Sequence, residues 1–258
     1  MIKEESFFHP MYFEKTKVLQ ELIPFQDEII ACYKEFEGKL KKPDLLGKTV
    51  RVSEKQFPKL YNQVRELSEC AEIEVPKIYL YEDFYYGVEA KGSSVPRIEL
   101  SAKTLADFSA SELDFLLARE ICRIKYGMVK LTTVSEQAQN MMMETTLVPG
   151  IETLSKSFQI KYATWSRLSH YTADCFGYYM VKDLEASVKA ILALVLNNLK
   201  LVAELNIIEY MAQARDIYLL DDIVSRYSEN DEKVPYGPLR IKNLLAYAAS
   251  KNMIDSEE

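Results

Sequence analysis

In the stretch LLAREICRIKYG, residues 116–127, a glutamate stands inside an apolar helical pattern with an arginine on either side. Advancing 100° per residue places Leu113, Leu116, Leu117, Glu120, Ile121 and Ile124 on one face, with Glu120 near its centre and Cys122 on the far side. Arg119 and Arg123 are four residues apart, so they share a face and reach toward one point. Two ligating side chains at that spacing can hold one metal ion, while a glutamate between them takes a proton from metal-bound water. Guanidiniums cannot be the ligands, because they stay protonated and offer no lone pair. A carboxylate on a buried face then requires cationic partners, which the two arginines can supply through charge-assisted hydrogen bonds.

The helix carrying these residues is well delimited. Ser109 and Glu112 form a capping box at its start, and Gly127 ends it after Tyr126. Upstream, VPKIYLYED, YYGVEAKG and VPRIELS read as short strands bounded by Gly, Pro and Ser, which predicts a small, largely antiparallel sheet. TVRVS reads as a further strand and KKPDLLGK as a loop. Helical spacing runs from Tyr12 to about Lys42, split at Pro24, and again over residues 54–71. Long helices are expected at about 133–147, 152–181 and 184–199, with shorter ones from about Ala203 and Asp216. The polar loop SENDEKVPYGP then leads to a last helix near Leu239. The fold class is α+β and mostly helical. One domain over 1–258 is expected, in which an N-terminal helical extension with one strand (1–74) precedes a core (75–250).

With 48% apolar residues the chain can fill a large core. A net charge of −7, with no basic cluster beyond the short GKLKKP, argues against a nucleic-acid partner. The best membrane-span candidate, residues 190–208, is interrupted by two asparagines, a lysine and a glutamate, so no transmembrane segment is expected. The N-terminus has no signal-peptide pattern, and a cytoplasmic location is expected. Cys32, Cys70, Cys122 and Cys175 are scattered without a C-x-x-C pair and read as buried free thiols. Met141 to Met143 read as core filling and Trp165 as a packing anchor, while YLYEDFYYG reads as sheet and cleft wall. The oligomeric state is left open.

Several segments together resemble a peptidase family. IELSAKTLADFSASELDFLLAREICRIKYG resembles the strand, short helix and metal helix of the gluzincin zinc metallopeptidases that include the CAAX prenyl proteases and the HtpX-type heat-shock proteases. WSRLSHYTADCFGYYM resembles that family's second signature, R-x-x-E-x-x-A-D-x-x-G. Arg167, Ala173, Asp174 and Gly177 match it, and His170 stands where the third ligand, a glutamate, is usual. YGVEAKG and VPYGPLRIKNLL resemble two further segments, through Ala90 and Gly92 and through Pro235, Arg240 and Ile241.

The resemblance implies a zincin-like metallopeptidase fold, with the small sheet lying over the active-site helix. It places Arg119, Arg123 and His170 at degenerate metal positions and Glu120 as a vestigial general base. Asp174 and Arg240 become partners behind that site, and no metal cofactor is expected, zinc being the cofactor of active relatives. Two arginines would replace the two charges of zinc, pairing with Glu120 and Asp174 while His170 adds a hydrogen bond. An edge strand beside the metal helix binds extended substrate in active relatives, and Arg97, Ile98, Glu99 and Leu100, or YYGVEA, would be that edge. The expected function is an inactive peptidase homologue that binds a peptide or protein partner. The alternative is an active peptidase or hydrolase using Glu120 with His170, or an unusual metal site.

Overall fold

The computed structural model describes residues 6–93, 95–144, 150–219 and 232–255. Pro24 separates α1 (Tyr12–Glu21) from α2 (Gln26–Phe36), and a π-helical turn at Glu37–Lys41 continues into α3 (Lys42–Lys48). KKPDLLGK, expected as a loop, is therefore helical. Pro43 lies at the second position of α3, directly after the π turn, and its fixed φ is compatible with the helix. Strand β1 (Thr49–Arg51) and α4 (Pro58–Cys70) follow.

Next come β2 (Lys77–Tyr81), β3 (Val88–Lys91) and β4 (Arg97–Ser101). The sheet order is β1-β2-β4-β3. β1 pairs antiparallel with β2 and β3 antiparallel with β4, but β2 and β4 run parallel, with Ile78 opposite Ile98 and Leu80 opposite Leu100. The sheet is thus mixed, with two antiparallel pairings and one parallel one, because β3 lies outside β4 and the chain returns between β2 and β3. β4 is consequently an interior strand. Arg97 to Leu100 cannot offer a free edge, and the outermost strand on this side is β3.

Alternation assigns the two faces of the sheet. Ile78, Leu80, Ala90, Ile98 and Leu100 point into the core. On the opposite face Arg97 bonds to Glu37 of the π turn and to Glu99 (2.7 Å), so the N-terminal helices cover that side.

Short α5 (Ala102–Asp107) leads into α6 (Ala110–Lys125). The Glu112 N–H donates to Ser109 Oγ (3.4 Å) and the Ser109 N–H to Glu112 Oε2 (2.8 Å), completing the capping box. The remaining helices are α7 (Met128–Glu144), α8 (Ile151–Val181), α9 (Leu184–Leu196), α10 (Leu199–Val202), α11 (Ile207–Leu219) and α12 (Gly237–Asp255). The helix expected to reach residue 199 stops at Leu196 because Asn197 turns left-handed (φ 51°) and Asn198 caps α10. α7 begins at Met128, directly after Gly127, and its expected end at 147 lies outside the described residues. Asp216, where a further helix was expected to start, lies inside α11, and residues 220–231, which include the first four of SENDEKVPYGP, fall outside the described residues.

α6 is the central element. It packs against α8, α9, α4, α7 and β3, so every residue from Phe115 to Arg123 is buried and no face is left for solvent. Trp165 is fully buried on α8 and donates from Nε1 to Thr16 Oγ1 (3.0 Å). Two of the expected buried thiols are exposed, Cys32 and Cys70, whereas Cys122 and Cys175 are buried. Of the three methionines expected as core filling, Met142 packs against the core, whereas Met141 and Met143 are exposed, at 58% and 61%. Among the described residues, no helix is long and apolar enough to cross a membrane.

Candidate functional site

Four elements converge on one buried cluster of charges. α6 brings Arg119, Glu120 and Arg123, α8 brings His170 and Asp174, α12 brings Arg240, and β3 brings the backbone of Ala90. Arg119, Glu120, Arg123, Asp174 and Arg240 are each at least 94% buried. His170 keeps partial contact with the adjoining cavity.

Arg240 grips Asp174 in a two-point bond, Nε to Oδ2 at 2.9 Å and Nη2 to Oδ1 at 2.8 Å. Arg119 Nε donates to the same Asp174 Oδ1, and its Nη2 lies 3.2 Å from His170 Nδ1. A guanidinium can only donate, so Nδ1 accepts and the imidazole proton resides on Nε2. Arg123 Nη1 donates to Glu120 Oε2 at 3.0 Å, and the Ala90 N–H donates to that oxygen at 2.7 Å. Arg119 Nη1 stands 3.7 Å from Glu120 Oε1. Arg119 therefore bridges the two carboxylates, while Asp174 has Arg240 as its main partner. Arg123 Nε is buried without a hydrogen-bond partner.

Burial pushes the His170 pKa well below its ordinary value, and the Arg123, Arg119 and Arg240 guanidiniums push it further, so the ring is neutral at pH 7. Burial alone would raise the Asp174 carboxyl, but Arg240 and Arg119 outweigh it and hold it below the usual range. With a neutral imidazole, three guanidiniums face two carboxylates.

Arg119, Glu120, Arg123, His170 and Arg240 floor a cavity of about 420 Å³ walled by Tyr81, Gly87, Val88, Glu89, Tyr162 and Lys233, among others, with Asp174 behind them. Tyr162 donates to Glu136 (3.3 Å), and Lys233 reaches the same carboxylate (3.3 Å) while lying 4.8 Å over the Tyr162 ring. Sequence reasoning did not single out Tyr162, Glu136 and Lys233. The signal for the first was the i, i+4, i+8 series Tyr162, Ser166 and His170, all of which line the cavity. Arg167, which matched the family signature, turns away and donates to the Glu232 carbonyl (2.7 Å). Arg97 and Glu99 lie on the opposite face of the sheet, with their partner Glu37.

Gly177 lets α8 approach α6 closely. A Cβ there would meet Arg119 Cγ at 2.9 Å and Phe115 Cδ2 at 2.9 Å. Gly177→Ala is expected to lower stability by about 1–2 kcal/mol net, overpacking outweighing the helix-propensity gain. An unchanged or raised urea midpoint would contradict this contact.

The donor set does not fit a zinc ion. Guanidinium N–H groups occupy both helical ligand positions, and among the described residues no group of three His, Cys, Asp or Glu could hold a metal.

A mostly helical chain with a small sheet, and a charged site on its central helix, can be set beside known proteins. No family model matches, and no solved structure matches significantly. The chain is similar to a "Protease HtpX homolog" of Thermodesulfovibrio yellowstonii, 29% identical over 86 residues that cover 33% of this chain and 30% of that protein. It is also similar to a "Protease HtpX homolog" of Streptococcus gordonii, 28% identical over 87 residues that cover 33% of this chain and 29% of that one. The matched part spans about a third of the relatives' length. The two similarities support a metallopeptidase-like relationship.

Proposed function

We propose that this chain is a catalytically inactive, gluzincin-like peptidase homologue whose metal site has become a salt-bridge cluster and whose cleft binds an extended peptide segment. The observation that carries the reading is the state of Glu120. In a metal peptidase the corresponding carboxylate must be free to take a proton from metal-bound water. Here Oε2 is held by Arg123 (3.0 Å) and by the Ala90 N–H (2.7 Å), and His170 Nδ1 faces Arg119. His170 Nδ1 cannot take a proton without losing its Arg119 contact, and a proton on Glu120 would remove the charge that pairs with Arg123, which also speaks against the alternative of a metal-free hydrolase.

The peptide part rests on β3. It is the edge strand on this side of the sheet, and Gly87, Val88 and Glu89 line the cavity. Because the Ala90 N–H is held by Glu120, an extended segment would add main-chain hydrogen bonds at the Val88 end of this edge, where the strand borders the cavity.

The test is the metal content of the purified, untagged chain after exposure to zinc and desalting, measured by mass spectrometry. Less than about a tenth of an equivalent is expected, since His170 and Glu120 alone cannot compete with water and chelators. A stoichiometric metal that disappears in His170→Ala would overturn the reading.

A further inference from the structure

The basic cluster GKLKKP has no part in the cleft, yet it forms a second cavity. This pocket of about 300 Å³ lies on the far side of the sheet from the cleft, between the π turn and strands β2 and β4. Lys34, Lys41, Lys42 and Lys77 line it, together with Arg97, Glu37, Leu45, Tyr79 and Val95. Arg97 is neutralised by Glu37 and Glu99. Lys41 bonds to the Tyr33 hydroxyl (3.2 Å) and lies over the Tyr33 and Phe36 rings, contacts that bring it no carboxylate. Among the described residues, Lys34, Lys42 and Lys77 have no carboxylate partner. By contrast, Lys39 and Lys48 of the same segment pair with Glu35 and Asp44 and stay outside the pocket.

This concentration of charge runs against the rest of the chain. Residues 33–55 hold seven Lys and Arg against four Asp and Glu, a net +3 in a chain of net −7, so the remaining residues carry −10. The π turn contributes geometrically. Its extra residue changes the helical phase by about 100°, and Lys41 and Lys42 follow it into the pocket wall.

We propose that this pocket binds a phosphate-bearing ligand. Several ammonium groups around one small cavity repel one another, and the anion that relieves them best concentrates two or more negative charges within a few ångströms. A phosphomonoester or diphosphate does so, and a single carboxylate does not. Lysine ammoniums bind phosphate as point charges. Leu45, Tyr79 and Val95 give the pocket an apolar wall, so the phosphate is carried on an organic group. That group belongs either to a soluble metabolite or to a lipid headgroup, two sources with the same chemistry.

The test titrates the full chain with inorganic pyrophosphate by calorimetry at low salt, in parallel with flotation on phosphatidylcholine vesicles with and without phosphatidic acid. One saturable site is expected, weakening as salt rises. Lys41→Gln combined with Lys77→Gln is expected to weaken it about tenfold or more, since two of four pocket charges are lost. Lys39→Gln combined with Lys48→Gln is expected to stay within about twofold of the parent. Pyrophosphate binding without flotation assigns a soluble ligand, and flotation that depends on phosphatidic acid assigns a headgroup. Absence of both, or equal losses in the two double variants, overturns the proposal.

Discussion

Asp174→Ala is expected to destabilise the protein by about 3–5 kcal/mol, the largest loss of any single substitution in the cluster. The carboxylate is fully buried and takes three guanidinium bonds, one from Arg119 and two from Arg240. Removing it leaves two cations in the interior without their main counter-ion, which is costlier than losing an exposed pair. For a chain of this size the melting temperature should fall by about 10 °C or more. The double variant Asp174→Leu with Arg240→Met should recover much of the loss, because it removes both members of the pair and keeps the volume. A fall of less than about 1 kcal/mol in Asp174→Ala would mean that the arginines find other acceptors.

The pH dependence of the same variant identifies the cause. Asp174 has a depressed pKa in the folded chain, so its stabilisation is complete above the unfolded value of about 3.9 and disappears as pH falls through the folded value. The difference between parent and variant should therefore be constant from pH 7 down to about 4 and narrow below that. A gap set by packing alone would not close in acid.

Local signals in the sequence were reliable where the interaction is local. Ser109 and Glu112 are three residues apart and form their box within one turn, so the start of α6 could be read directly. The Arg119, Glu120 and Arg123 spacing likewise predicted that they share a site. The stripe of Leu113, Leu116 and Ile121 was less informative, because α6 is enclosed on all sides and Phe115 and Cys122, off the stripe, are equally buried. Non-local pairings left no such signal. The family resemblance put Asp174 and Arg240 behind one site, but the two-point grip between them, across 66 residues of sequence, depends on how α12 docks. The parallel pairing of β2 with β4 depends on where the β3 return lies, which alternation within each strand does not encode. The same gap misplaced Arg97 to Leu100 at an edge. The Ala90 N–H was invisible for another reason: every residue has one, and only the fold selects which meets a carboxylate.

Arg119→His, Arg123→His and His170→Glu introduced together are expected to make the chain bind about one zinc ion per molecule. The argument is one of charge as well as geometry. In the parent floor three guanidiniums face two carboxylates, an excess of one positive charge. The triple variant leaves Arg240 against Glu120, Asp174 and the new carboxylate at position 170, an excess of two negative charges, and zinc restores neutrality. Geometry permits it because positions 119 and 123 share a helix face and Arg119 already reaches His170 at 3.2 Å. The apo variant should melt below the parent and rise with added zinc, as required of a ligand that binds only the folded state. Arg119→His alone should bind none, since Arg123 still occupies a ligand position. A triple variant that folds by circular dichroism yet retains no more zinc than the parent would show that α6 and α8 hold these positions apart from metal geometry. The cluster would then be a salt bridge of independent origin, and the case for an abandoned metal site would fall with it.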